Sequence, residues 1–319
     1  MLRAYFHIAR NTFRENLRQP IYLLILTLGL ALIGTAPAFT LFVFRHQEKL
    51  VTDTAMATML SFGWVLAVLI ASHSITREIR GGTATLVLSK PVNRLVFVLG
   101  KITGIISGLT LFCLIIGTAS LISVGIATDQ FQFNMHAFSL FFLIIVISFA
   151  AGGVVNYVKR SSFSMATVLC LTVLFPIGMV VISRILPAGE GGVYRWEMIP
   201  ALLLIMFAVW MLGILATTFS TRLDWVPNLL ICGVIFICGL MSDYFLGRLA
   251  DKSLAADALY AIIPNWQLFW MADALAAGKS VPVVYVLWAA AYVLLFGGLF
   301  TILAYGLFAH REVGEQDNV

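Results

Sequence analysis

LVFVLGKITGIISGLTLFCLIIGTASLISVGIA, residues Leu95–Ala127, is apolar or carries small hydroxyls throughout, and Lys101 is its only charge. A bilayer accepts such a stretch only if every backbone group is paired within it, which leaves helices and closed barrels. A helical span needs about 20 mostly apolar residues and a barrel strand about 10 of alternating polarity, so an unbroken run of this length reads as a membrane helix. It is long enough to tilt or to project beyond the membrane.

Working outward, seven further runs share this character: Ile21–Phe44, Thr54–Thr76, Ala137–Val158, Ser162–Ser183, Met198–Phe219, Val226–Leu246 and Val281–Phe308. The chain is 61% hydrophobic and 11% charged, with a mean hydropathy of +0.99, against roughly 45–50% and about 25% in soluble domains. The fold class is all-α: a polytopic membrane protein of six to eight transmembrane helices in a single domain over 1–319. Val226–Leu246 reads either as a span or as a re-entrant segment. Gly29, Gly34 and Pro37 predict a bend in the first span, and Pro176 with Gly178 a kink in the fifth.

Charge sets the orientation. Arg3, Arg10, Arg14, Arg18, the basic residues from Arg77 to Lys101, Lys159, Arg160, Arg222 and Arg311 fall on one side, outnumbering those on the other. The positive-inside rule then puts both termini in the cytoplasm. The net charge of +5 belongs to this topology and to anionic headgroups, so nucleic acid is not an expected partner and the bilayer is.

Residues 1–19 pair an apolar stripe, Leu2, Phe6, Ala9, Phe13 and Leu17, with a basic one, Arg3, His7, Arg10, Arg14 and Arg18, displaced by about 100°. This predicts an amphipathic helix lying in the interface, with Pro20 marking the turn into the bilayer. The tryptophans Trp196, Trp225, Trp266, Trp270 and Trp288 lie mainly near predicted interfaces and read as an aromatic belt. The extracytoplasmic connection 248–280 is the longest polar one. Its part Asp251–Ala277 reads as a segment floating among headgroups, with a re-entrant exit gate as the alternative.

Catalytic signatures are missing from the sequence: there is no HExxH or GxSxG motif and no pair of acids within a span. Gly278-Lys279-Ser280 resembles the end of a phosphate loop, but Asp273 stands where its first glycine belongs, and no strand precedes it. Cys113, Cys170, Cys232 and Cys238 lie in apolar runs without CxxC spacing and read as buried hydrophobes. No metal or cofactor is expected. Span interiors almost free of ionisable groups disfavour an ion-coupled carrier.

Two sequence features remain. The first is 77–94, Arg77-Glu78-Ile79-Arg80-Gly81-Gly82-Thr83-Ala84-Thr85-Leu86-Val87-Leu88-Ser89-Lys90-Pro91-Val92-Asn93-Arg94. Paired glycines allow a tight turn, Thr83 caps a short helix and Pro91 ends it after about two turns, leaving Leu86 and Leu88 to fill a pocket on another protein. The second is Gly100, Gly104 and Gly108, a side-chain-free face that admits another helix closely. Either it moves during function, or it packs statically within one subunit.

Arg77-Glu78-Ile79 with Gly81-Gly82-Thr83, then Leu86 to Arg94 and Val98-Leu99-Gly100-Lys101, resembles the signature of ABC-2 type transporter permeases. The basic N-terminal helix is similar to that family's elbow helix, and Ile263 to Phe269 and Phe308-Ala309-His310-Arg311-Glu312 also match. The resemblance implies a coupling helix at 83–90 that docks on a separate ATPase, with Arg77, Glu78, Gly82, Thr83, Thr85, Leu86, Leu88 and Lys90 as the coupling residues. It also implies two ATPase copies that carry the ATP and a second permease copy, identical or not. Six spans per subunit are implied, so the eight runs mean either an inserted pair or re-entrant hairpins. The expected function is that of a non-enzymatic permease exporting a hydrophobic or amphiphilic substrate. The alternatives are an ATPase-coupled mechanotransmitting or sensory subunit that moves no cargo, and a membrane-embedded lipid enzyme.

Overall fold

Runs that must pair their own backbone groups fold as helices, and among the described residues there is no strand. The computed structural model describes residues 2–42, 47–80, 93–127, 134–186, 194–247, 260 and 263–309. Its helices are α1 (Leu2–Arg18), α2 (Pro20–Phe39), α3 (Gln47–Arg80), α4 (Arg94–Ala127), α5 (Met135–Lys159), α6 (Phe163–Ile182), α7 (Ile199–Ser220), α8 (Trp225–Leu240), the single turn α9 (Ala272–Ala276) and α10 (Val283–Ala309). Seven of them, α2 to α7 and α10, are long and apolar enough to cross a membrane.

The run Val226–Leu246, expected as a possible eighth span, is instead the 16-residue helix α8 followed by a π turn over Asp243–Gly247. Sixteen residues reach about 24 Å, short of a hydrocarbon core of about 30 Å. The cause is local: a Cβ on Gly239 would lie 2.2 Å from the Pro264 carbonyl and 2.4 Å from the Trp266 ring, so another part of the chain crosses where the helix ends. The Leu240 carbonyl freed there accepts a hydrogen bond from Gln267 Nε2 at 2.7 Å.

One boundary also shifts. The helix that carries the run Thr54–Thr76 starts earlier than the run, at Gln47, because Gln47-Glu48-Lys49-Leu50 contains no breaker. The glycines of α2 receive neighbours: a Cβ on Gly34 would sit 2.4 Å from Phe141, and one on Gly29 would sit 3.1 Å from Ile116. Pro37 lies within the last turn of α2, which passes into a 3-10 turn at Thr40–Phe42. Pro176 lies inside α6, which is assigned as one helix from Phe163 to Ile182.

Burial sorts the helices into layers. The spans containing α7 and α4 are 72% and 67% buried, whereas α5 and α10 are 22% buried each and present rows of exposed Leu, Val and Ile. The α4 helix packs on α1, α2, α3, α6 and α7, while α5 and α6 form a hairpin. Exposed aliphatic faces on peripheral helices are what lipid tails contact.

Long-range polar contacts run through the bundle, as where Trp210 Nε1 donates to the Thr110 hydroxyl at 3.0 Å, and the charged ones stand near its two ends. At the distal end Lys49 Nζ meets Asp273 Oδ1 at 3.0 Å, Arg195 pairs with Glu48, and the Tyr194 hydroxyl donates to the Met179 carbonyl. Burial pushes the Tyr194 phenol up to about 12. The proximal end holds the α1–α2 joint, the close of α3, the start of α4, the α5–α6 turn and the start of α8. The described part of 251–277 packs against the helices. Trp266 and Phe269 are fully buried, Asn265 N donates to the Tyr292 hydroxyl at 2.8 Å, and the Tyr285 hydroxyl donates to the Leu268 carbonyl at 2.7 Å. Those two tyrosines satisfy the backbone, which allows irregular chain to sit below the surface.

Candidate functional site

At their proximal ends α3 and α4 run into the connection read from sequence as the contact with another protein. Arg77 and Glu78 lie in the last turn of α3. Gly82, Thr83, Thr85, Leu86, Leu88 and Lys90 lie outside the described residues. The chain re-enters at Asn93, whose Oδ1 accepts from Leu95 N at 3.0 Å at the start of α4. Each of the two helices is 34 residues long, about 51 Å, and so outreaches the hydrocarbon core.

Three successive α3 residues just before this connection are held by three different elements. Ser72 Oγ accepts from Asn228 Nδ2 of α8 at 3.0 Å. His73 Nδ1 lies 2.6 Å from Gln19 Nε2 at the α1–α2 joint. Ser74 receives Lys101 Nζ of α4, at 3.1 Å on its hydroxyl and 3.3 Å on its carbonyl. Successive helical side chains point about 100° apart, so a polar triplet can address three neighbours at once. Lys101 is 2% exposed, sits 5.8 Å from the Phe97 ring centroid and lies 4.0 Å from Glu15 Oε2. Asn228 is fully buried and also donates to the Ala216 carbonyl at 3.0 Å, tying in α7. Groups desolvated to this degree cost free energy unless bonded, so breaking one link is more expensive than the net value of the bond suggests.

The glycine face of α4 is occupied by α1. A Cβ on Gly100 would lie 2.8 Å from Ile8, one on Gly104 would lie 2.6 Å from Thr12 and 2.7 Å from the Ala9 carbonyl, and Gly108 faces Asn16. Contacts that advance together along both chains mean that the two helices run in the same direction. Tyr5 and Thr103 hydroxyls lie 2.7 Å apart beside this seam. The Thr12 hydroxyl and both amide atoms of Asn16 are buried there without a hydrogen-bond partner, so around Gly104 and Gly108 close packing, not polar pairing, holds the contact.

This gives α1 three faces where the sequence predicted two. Tyr5, Ala9, Thr12 and Asn16 meet α4, Leu2 and Phe6 are exposed, and Arg3, His7, Arg10, Arg14 and Arg18 form an exposed basic row. The signal available in sequence was the small and hydroxyl-bearing spacing Ala9, Thr12, Asn16, which matches the glycine spacing on α4. The triplet Ser72-His73-Ser74 within an apolar run was the other missed cue.

Trp196, Trp225 and Trp288 are exposed, as an aromatic belt requires, whereas Trp266 belongs to the interior. Among the described residues no group of three or more His, Cys, Asp or Glu side chains stands close enough to hold a metal ion. What the arrangement can do is mechanical: a displacement of the ends of α3 and α4 reaches α1, α2, α7 and α8 through directly bonded groups. No curated protein is similar enough to this chain to count as a match. A family model described as "ABC-2 family transporter protein" matches residues 7–294.

Proposed function

Because this chain belongs to the ABC-2 family of transporter proteins, we propose that it is the transmembrane permease subunit of an ATP-driven transporter, coupled to a separate ATPase through 77–94. The family implies an ABC ATPase partner, and two ATPase copies with a second permease copy complete the assembly. The termini face the cytoplasm of the inner membrane, as the distribution of Lys and Arg favours. ATP binding closes the ATPase pair, 83–90 takes up the motion, and the ends of α3 and α4 carry it into the bundle, biasing inward-open and outward-open states.

The observation that supports this reading best is the lacing of Ser72, His73 and Ser74 to three other elements within two turns of the connection. A loop with no mechanical role has no need of a rigid root. Aliphatic walls with few buried charges suit a hydrophobic or amphiphilic cargo leaving the cell.

The test is ATP hydrolysis by the ATPase co-purified with this chain in proteoliposomes. Hydrolysis that rises several-fold with an added lipid or hydrophobic compound is the expected result for an exporter. Hydrolysis that answers only to an added protein would replace transport by a force-transmitting role.

A further inference from the structure

We propose that the groove between the root of α2 and the α5–α6 turn binds one anionic phospholipid of the proximal leaflet. The groove has a volume of about 500 Å³, within the roughly 300–1,000 Å³ of small-molecule sites, and exposed Leu24 and Leu28 among its lining leave it open at the surface of the bundle. Its composition is graded. Arg18, Ser162 and Ser164 stand at one end, and Leu24, Leu28 and Phe149 line the rest. Leu24 and Leu28 are 53% and 52% exposed, one turn apart on α2, and form a rail for an acyl chain.

Charge decides what covers this apolar strip. Arg18, which ends the basic row of α1, is the one charged residue that lines the groove, with no acid among the other lining residues, and the exposed Lys159 and Arg160 precede the lining residue Ser162 closely in the chain. The first turns of α2 and α6 both open at this mouth, and neither N-cap residue, Gln19 or Ser162, makes a side-chain capping bond. Their dipoles add to the guanidinium in favouring a phosphate. An uncharged detergent or sterol would use the leucine rail and leave the mouth unmatched. A soluble phosphate would use the mouth and leave the rail bare. A phospholipid with a net negative headgroup satisfies both, and it would join α1 to the α5–α6 hairpin, beside the bond Ser164 Oγ donates to the Leu17 carbonyl. The inference rests on the membrane location of the chain and stands independently of the ATPase contact.

The experiment counts lipids retained on the purified full-length chain by native mass spectrometry, with phosphatidylglycerol or phosphatidylcholine added. One tightly held phosphatidylglycerol is expected, exceeding phosphatidylcholine about five-fold, and Arg18→Gln is expected to remove that preference. Leu28→Trp, which fills the rail and keeps every charge, is expected to displace the lipid as well. Arg10→Gln, on the same basic row outside the groove, is expected to leave retention unchanged. Equal retention of the two lipids, equal loss in Arg10→Gln and Arg18→Gln, or full retention in Leu28→Trp would overturn the site. So would competition by glycerol phosphate as effective as the lipid, or a second copy of the chain in place of lipid.

Discussion

Leu86→Asp is expected to abolish ATP-driven transport while membrane insertion and helical content stay unchanged. Transfer of a leucine from water into an apolar groove contributes about 1.5–3 kcal/mol, and burying a carboxylate in the same place costs several more. A contact that concentrates this much on one side chain behaves as a hot spot, whose loss weakens association by at least about 2 kcal/mol, or roughly 30-fold. Leu86→Ala should fall between the two. Hydrolysis by the co-purified ATPase, measured beside transport, shows whether the change breaks coupling or merely lowers expression. Unchanged transport in Leu86→Asp would show that 83–90 is not the contact.

The second large effect is expected at Gly104, where Gly104→Leu should strip α1 from the bundle. A Cβ alone would stand 2.6 Å from the Thr12 side chain and 2.7 Å from the Ala9 carbonyl, and the latter is backbone that cannot rotate away. Ordinary overpacking costs about 1–3 kcal/mol, and a full leucine against a helix backbone belongs at or above the top of that range. Tyr5 and Thr103 share a hydrogen bond at one edge of the seam, but the unpartnered Thr12 and Asn16 groups give α1 none at the level of Gly104 and Gly108 to hold it in a shifted position. Protease cleavage within 2–18, together with a lower melting temperature in detergent, is the readout. Gly153→Ala serves as control: that position faces open space, and the change should be neutral or slightly stabilising. Equal resistance of Gly104→Leu and the parent would mean that α1 does not dock on this face.

The two effects differ in kind, and the difference follows from where information lies in this chain. Unbroken apolar runs dictate membrane helices because the bilayer leaves no other way to pair the backbone, so the fold class was legible from Leu95–Ala127 alone. The spacing of Gly100, Gly104 and Gly108 announced a close helix contact. It did not name the partner, because a bare face is equally open to a helix of the same chain and to one of a second subunit. Its occupation by α1 became visible only in the folded chain.

Val226–Leu246 looked long enough to span because hydropathy registers composition and not the Pro264–Trp266 segment that crosses at Gly239. Trp266 looked like a belt residue for the same reason: an indole favours the interface unless the fold offers a site inside. The root formed by Ser72, His73, Ser74, Gln19, Lys101 and Asn228 was not legible as a unit: Lys101 stood out only as the one charge of its run, and the others are unremarkable near the end of a span. Only tertiary proximity makes them one network.

If an outside motor grips this polypeptide between α3 and α4, then position 85 must touch that motor. The most direct measurement pairs Thr85→Cys with single cysteines along the surface of the co-expressed ATPase and follows disulfide formation with and without ATP. The account predicts a cross-link to one surface groove whose yield changes on ATP binding. A permease that purifies alone, or one that yields no cross-link with any nucleotide, would contradict it.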